Sequence, residues 1–498
     1  MGASDYGAGG VGASPPGGSP AGAPASPALR LHDRRLSWSA ILLAAYGAVL
    51  VAIPADVGLR LPGFVLSPAR ALLFATLVVA LLEIARDAPS RRLLPPRVVI
   101  VAWLAFLAAF AVSTVLNAPA GAFVRFGSLA IEGLLLWVLA WHVATRAGAE
   151  RVATTIAAAS VVVALASTVL ALTGQRYDVI VRAIQGDAVA EAAPLRFGIV
   201  RQQAAFDAPL TYGIWLLAAS ALVVGQICQS QGRRRWLWIA GWVIVAAAAF
   251  TTVSRLVLVG LPLVVALDFS LRERWRRAAV GFLAAFVVAF VVFAVPAGVL
   301  SNVRIGSIDF DVDLGPPGTV FGLPFSTVEM TAIESSNEAR IEAALAGLGA
   351  AAERPLFGWG PLTAKGIVSE RLGHDNWVDN TYIAFLVEGG VVGLAAFVGL
   401  VLVVVGAALR NRGQPAGSAR AVALLTMLGS AGFAAFFSLS QGYAAFWLIA
   451  GLATPTLLAA PAHRESGTAA SSAVARGAPE VAQQVPHERG ISDEVASP

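Results

Sequence analysis

Between His374 and Tyr382 the chain sets an imidazole, carboxylates and amides side by side: His374, Asp375, Asn376, Asp379 and Asn380. Groups of this kind take protons from hydroxyls and orient them, so the stretch suits activation of an alcohol nucleophile, with Asp379 or His374 as base. An apolar run begins near Tyr382, which sets Asn380 and Tyr382 at a membrane surface. Ahead of these groups, Pro355, Gly358, Gly360 and Pro361 predict a tight irregular turn, because Gly takes backbone conformations that other residues resist and Pro fixes its own φ. Glu388 lies inside the apolar run, where an ionisable residue faces a cavity or a partner. Each residue also has a plainer reading. An arginine beside a span sets topology or snorkels, His374 alone is a solvated loop residue, and Asp379 with Asn380 caps the following helix.

The elements that must position these groups follow from composition. Hydrophobic residues make up 57% of the 498 residues and charged ones 13%, more apolar than a soluble chain of this length can hide. The expected fold is therefore an all-α polytopic membrane protein. Twelve helices are expected, at about residues 38–54, 69–85, 98–116, 128–145, 152–173, 209–227, 236–251, 256–269, 278–300, 382–409, 421–439 and 443–459. Residues 1–36 and 463–498 are poor in large apolar side chains and are expected to be disordered. No cleavable leader pattern precedes the first span, which is expected to serve as an uncleaved anchor. The net charge of +5 comes from arginines spread between apolar runs, which argues against a nucleic-acid partner. Cys228 is the single cysteine and allows no intrachain disulfide.

Arginines recur in alternate connections: Arg30, Arg34 and Arg35; Arg86 to Arg97; Arg146 and Arg151; Arg233 to Arg235; Arg272 to Arg277; and Arg410 to Arg420. The positive-inside rule makes these cytoplasmic, puts both termini inside, and leaves the long connections 174–208 and 301–380 outside. Within the second, Ser335-Ser336-Asn337-Glu338 reads as a capping box for a short amphipathic helix, with Ile341, Ala344, Leu345 and Leu348 at helical spacing and Arg340 in its first turns. Asp309, Asp311 and Asp313 alternate with apolar residues and read as an acidic strand face, since the Gly and Glu of a calcium loop are misplaced.

Over about residues 203–400 these features resemble the O-antigen ligase and polymerase superfamily of bacterial envelope glycan enzymes. The residues that carry the resemblance are Arg201 with FDAPLTYG from Phe206, TTVSR ending at Arg255, Arg340 ahead of PLFGWG, and DNTYIAFLVEGGVVGL. The family usually has His before the Asn, where this chain has Asp379. The resemblance implies a bacterial cytoplasmic-membrane glycosyltransferase that uses a polyprenyl-pyrophosphate-linked oligosaccharide donor and a glycan or lipid acceptor among membrane lipids. It also implies no metal or cofactor. Catalysis is expected from Asp379 and His374, and substrate binding from Arg255, Arg340, Arg201, Asn380 and Tyr382. Gly358, Gly360 and Glu388 give structural support in that reading. The alternative class is a flippase or multi-span transporter of anionic substrates, for which internal repeats would argue; none is visible.

Overall fold

The computed structural model describes residues 37–61, 64–86, 97–117, 122–146, 148–184, 195–196, 199–252, 254–271, 319–320, 323–324, 327–374, 376, 378–410, 415–433 and 440–454. Apolar runs bounded by helix-starting residues give α1 (Trp38–Ala52), α2 (Pro68–Arg86), α3 (Arg97–Asn117), α4 (Ala122–Thr145) and α5 (Ala149–Leu172). Ser37 caps α1 by accepting the Ala40 N–H, and α7 (Pro209–Gln229) starts with proline in its first turn, where no N–H is needed. Between them lies the short α6 (Tyr177–Ile184). Next come α8 (Gly232–Thr251) and α9 (Arg255–Leu271), then α10 (Thr327–Glu353) and α11 (Ala364–Leu372). The long α12 (Thr381–Arg410), α13 (Pro415–Ser430) and α14 (Ser440–Ala453) follow among the described residues. Three small antiparallel hairpins add Leu59–Leu61 with Phe64–Leu66, Leu195–Arg196 with Ile199–Val200, and Thr319–Val320 with Leu323–Pro324.

Five of these helices, α2, α3, α5, α7 and α12, are long and apolar enough to cross a membrane. Shorter apolar helices lie at Trp38–Ala52, Ala130–Thr145, Leu256–Leu271 and Gln441–Ala453. The expected span at 278–300, the Asp309–Asp313 stretch and both tails fall outside the described residues. The expected helix at 421–439 instead starts at Pro415 and ends at Ser430, followed by a 3-10 turn at Ala431–Phe433.

Polar contacts sort the helix ends into two sets. At one end, Ser39 donates from its hydroxyl to Glu83 Oε2 at 2.7 Å, Arg146 reaches the same oxygen at 3.1 Å, and Ser418 bonds Asp268 at 3.1 Å. At the other, Gln441 donates to Ile53 O at 3.1 Å, Tyr177 Oη to Ala52 O at 3.0 Å, Gln202 N to Thr251 O at 3.1 Å and Asn380 to Gly432 O at 2.8 Å. Traced through these bonds, α1–α5 and α7–α9 run alternately from one end to the other, and so do α12–α14. The middle is an aromatic core in which Trp103 meets Trp447 at 4.4 Å and Phe106 packs on Phe110, Phe385 and Phe397.

The loop helix differs from expectation in extent. It starts at Thr327, so Ser335–Glu338 lies inside it and Arg340 near its middle. The stretch TVEMTAIE contains no Gly or Pro to stop a helix, and Ser or Asn inside one costs only tenths of a kcal/mol, so the cap-type residues are overrun. Its packed face is Ala343, Gly347, Ala350 and Ala351, whereas Ile341, Leu345 and Leu348 are exposed. Small residues win that face because they let backbones approach: a Cβ on Gly347 would come within 2.9 Å of Ile383 on α12.

Candidate functional site

The PLFGWG turn and the EGG of α12 form one structure. Gly390 takes φ 61 and ψ −165, a region essentially restricted to glycine, and α12 breaks there. The break releases the carbonyls of Val387 and Glu388 from their usual donors four residues on. Trp359 N–H takes the first at 2.8 Å and Gly360 N–H the second at 2.9 Å. In return, the released N–H groups of Val391 and Val392 donate to Pro355 O at 2.8 Å and Leu356 O at 3.2 Å. Four backbone bonds thus splice the turn into the helix and leave none of these four donors unpaired. Gly358, with φ 63, has no room for a side chain because a Cβ would strike the backbone of Val387 and Glu388.

The break also bends the helix sharply. Residues 385 and 397 of a straight helix lie about 18 Å apart along the axis. Here the Phe385 and Phe397 rings are 4.5 Å apart, so the first part of α12 folds across the start of the second. What remains after the bend, Val391–Arg410, is itself about the length needed to cross the hydrocarbon.

Side chains lock this joint. Glu388, 4% exposed, receives the backbone N–H groups of Leu362 and Ala364 on its carboxylate, and Ser113 of α3 donates to its carbonyl at 2.7 Å. Arg354 reaches Asn117 at 2.5 Å and lies 3.9 Å from the Trp359 ring centroid. Ser113, Asn117, Arg354, Trp359 and Gly390 were not singled out in the sequence. The only available signals were the apolar-run Gly-Gly and the arginine beside PLFGWG; nothing local marks Ser113 or Asn117, which are far away in sequence.

On this joint the structure brings Arg340 and Asp379 together, with Arg340 Nε donating to Asp379 Oδ2 at 2.8 Å. Both are partly exposed. Burial pushes the Asp379 carboxyl up from its ordinary range, while the Arg340 charge and hydrogen bond pull it down; burial wins. Asn380, not Asp379, caps α12, its Oδ1 accepting from Tyr382 N at 2.9 Å and Ile383 N at 3.1 Å. Tyr382 Oη donates to Leu428 O at 2.8 Å. The polar atoms of Asn380 and Tyr382, expected on the substrate, are thus engaged in fixing α12 against α13. His374 is exposed just after the left-handed Gly373, with Nδ1 3.0 Å from Leu372 O. A carbonyl can only accept, so Nδ1 is the donor in this contact.

Arg201 and Arg255 flank a second corner at the same end. Arg201 Nε donates to Thr252 O at 3.2 Å, three residues before Arg255 opens α9. The neighbouring Gln203 is held by Asp178 at 3.0 Å, and Arg176 grips that carboxylate at 3.1 and 2.7 Å. The Ser418–Asp268 bond joins the start of α13 to the finish of α9. The helical rise then lifts both Ser430 and Arg255 about 18–20 Å toward the site end. Asn380 bonds Gly432 there, so both corners open on one end of the bundle.

Residues 240–398 match the model of the O-antigen ligase family, which identifies this region as a domain of the O-antigen ligase and polymerase superfamily. Arg255, Arg340, PLFGWG and the DNTY entry lie within the match, and Arg201 and FDAPLTYG precede it. No curated protein matches the chain. This match supports a membrane glycan ligase or polymerase in general.

Proposed function

We propose that this protein transfers or polymerises an oligosaccharide from a polyprenyl-pyrophosphate carrier at the outer face of the cytoplasmic membrane. The observation that carries the reading is the Arg340–Asp379 pair, a cation for the leaving group bonded to a base for the acceptor, at the entry of a broken span. An acceptor hydroxyl gives its proton to Asp379 as its oxygen bonds the anomeric carbon. The bond from that carbon to the pyrophosphate oxygen breaks, and its electron pair leaves with the polyprenyl pyrophosphate. A guanidinium has five N–H donors, and the Asp379 bond uses the one on Nε, so Arg340 keeps its terminal donors for phosphate oxygens. The raised carboxyl supports the same role, because a base works best with a pKa near the working pH. Arg201 and Arg255 supply further positive charge from the second corner, and His374 lines the acceptor side. Asn380 and Tyr382 act by position, holding the entry of α12 on α13.

The test is a reconstituted assay in proteoliposomes with a polyprenyl-pyrophosphate oligosaccharide. Wild type is expected to release polyprenyl pyrophosphate and form a glycosidic bond without nucleotide. Arg340→Lys, which keeps the charge but loses the planar fork, is expected to insert normally and turn over about 10²–10³-fold more slowly. Movement of intact donor between leaflets with no new glycosidic bond overturns the transferase and makes the protein a flippase.

A further inference from the structure

Helix α10 is apolar on two opposite sides. One is the small-residue face already buried on α11 and α12 through Ala343, Gly347, Ala350 and Ala351. The other is the row Ile341, Leu345 and Leu348, exposed by 62%, 63% and 45%, with exposed Ala352 completing it. At 3.6 residues per turn these four fall within about 60° of one another, on the side facing away from the protein. A helix in water gains from burying one apolar face and has no use for a second, larger one. Beyond Ala352 the row continues through Leu356, 62% exposed, whose carbonyl accepts from Val392 N–H of α12. From there it joins Val391, Val398 and Leu402, exposed by 55%, 39% and 65% along the flank of a membrane span. That flank is what acyl chains cover, so the α10 row extends the lipid-facing wall.

We infer that Ile341, Leu345 and Leu348 seat α10 in the bilayer leaflet, against acyl chains, instead of leaving it in the water above. The charged residues bound such a seat, and exposed Glu338 ends the row one turn before Ile341. Glu342, and Glu353 in its 2.6 Å ion pair with Arg371 of α11, lie along one margin of the row, and Arg340 with Asp379 along the other. The inference holds for whichever face of the membrane this end occupies, and for whatever reaction the site performs.

The test uses the full chain carrying Cys228→Ser, reconstituted in phosphatidylcholine and phosphatidylglycerol vesicles without donor. An environment-sensitive fluorophore is placed at Leu345→Cys, Leu348→Cys or Glu342→Cys. Labels at 345 and 348 are expected to be blue-shifted, quenched by lipids with acyl-chain nitroxides and protected from aqueous iodide; the label at 342 is expected to be reached by iodide. Two row positions guard against one variant failing to fold. Iodide quenching at 345 and 348 equal to that at 342 overturns the inference. So does cross-linking of Leu345→Cys chains to each other without lipid quenching, which makes a second copy the occupant. Shielding that appears only when polyprenyl donor is added overturns it as well, assigning the row to the carrier tail.

Discussion

Asp379 has two claims on it, as base and as partner of Arg340, and mutation separates them from simple helix capping, which Asn380 performs. Asp379→Ala is expected to remove most glycan product in a complemented deletion strain at normal protein level, and His374→Ala to remove less. Asp379→His is expected to be the best tolerated replacement, since an imidazole also accepts a proton from a hydroxyl. Normal product from Asp379→Ala would show that the carboxylate only holds Arg340. The pH profile gives a second reading. A base must be ionised, so the rate falls as pH drops through its pKa, and burial raises that pKa above the ordinary carboxylate range. The acid limb is therefore expected at higher pH than for an exposed aspartate. Arg340 opposes the shift, so Arg340→Gln is expected to move the limb further toward neutral pH as well as lower the rate. A limb that stays in place in Arg340→Gln would assign it to another group. The chemistry of both residues was legible in the sequence, but their pairing was not, since 39 residues separate them.

The spliced joint makes equally sharp demands at the scale of elements. Gly390→Ala puts a Cβ onto the Leu356 backbone in a φ, ψ region that only glycine holds easily, so a loss of about 1–3 kcal/mol or more is expected. Gly399→Ala is the control: it lies in the same helix with open space around it, and replacing a helical glycine there is expected to be neutral or to stabilise by up to about 1 kcal/mol. Thermal unfolding in detergent should separate the two, with the first lowering the midpoint and the second leaving or raising it. Equal midpoints would mean that the splice is not held in solution. Ser113→Ala, which removes one buried bond to the Glu388 carbonyl, is expected to cost about 0.5–1.5 kcal/mol in the same measurement. The turn itself was legible because Pro and Gly act locally. The break was hidden because Gly389-Gly390 inside an apolar run reads as a tolerated helix interior, and only the docking of residues 355–360 makes Gly390 special. Which face of α10 packs on protein was not legible, for a related reason. Leucine and isoleucine mark an apolar side, but which apolar side packs on protein is decided by how closely α12 approaches.

At the scale of the molecule, hydropathy alone located most helix limits among the described residues to within a few residues, because long apolar runs persist as helices. Orientation is a separate question, and here the two ends of the bundle differ. The site end carries many cations, and five of them face acids there: Arg70 with Glu132, Arg176 with Asp178, Arg182 with Asp56, Arg340 with Asp379 and Arg371 with Glu353. The opposite end carries Arg86, Arg97, Arg146, Arg151, Arg233, Arg234, Arg235, Arg410 and Arg420, against Glu83, Glu150 and Asp268 among the described residues. Lys and Arg in short connections set orientation and acids contribute little, so the arginine-rich end is expected to stay in the cytoplasm and the site end to face out. Glu370→Cys on α11 and Gly413→Cys between α12 and α13, each in a Cys228→Ser chain in intact cells, test this with a membrane-impermeant maleimide. Position 370 is expected to react from outside, and position 413 only after the membrane is opened. The reverse pattern would put Asp379 and Arg340 in the cytoplasm, where nucleotide-linked sugars become available as donors and the case for a lipid-borne pyrophosphate at the outer face is lost.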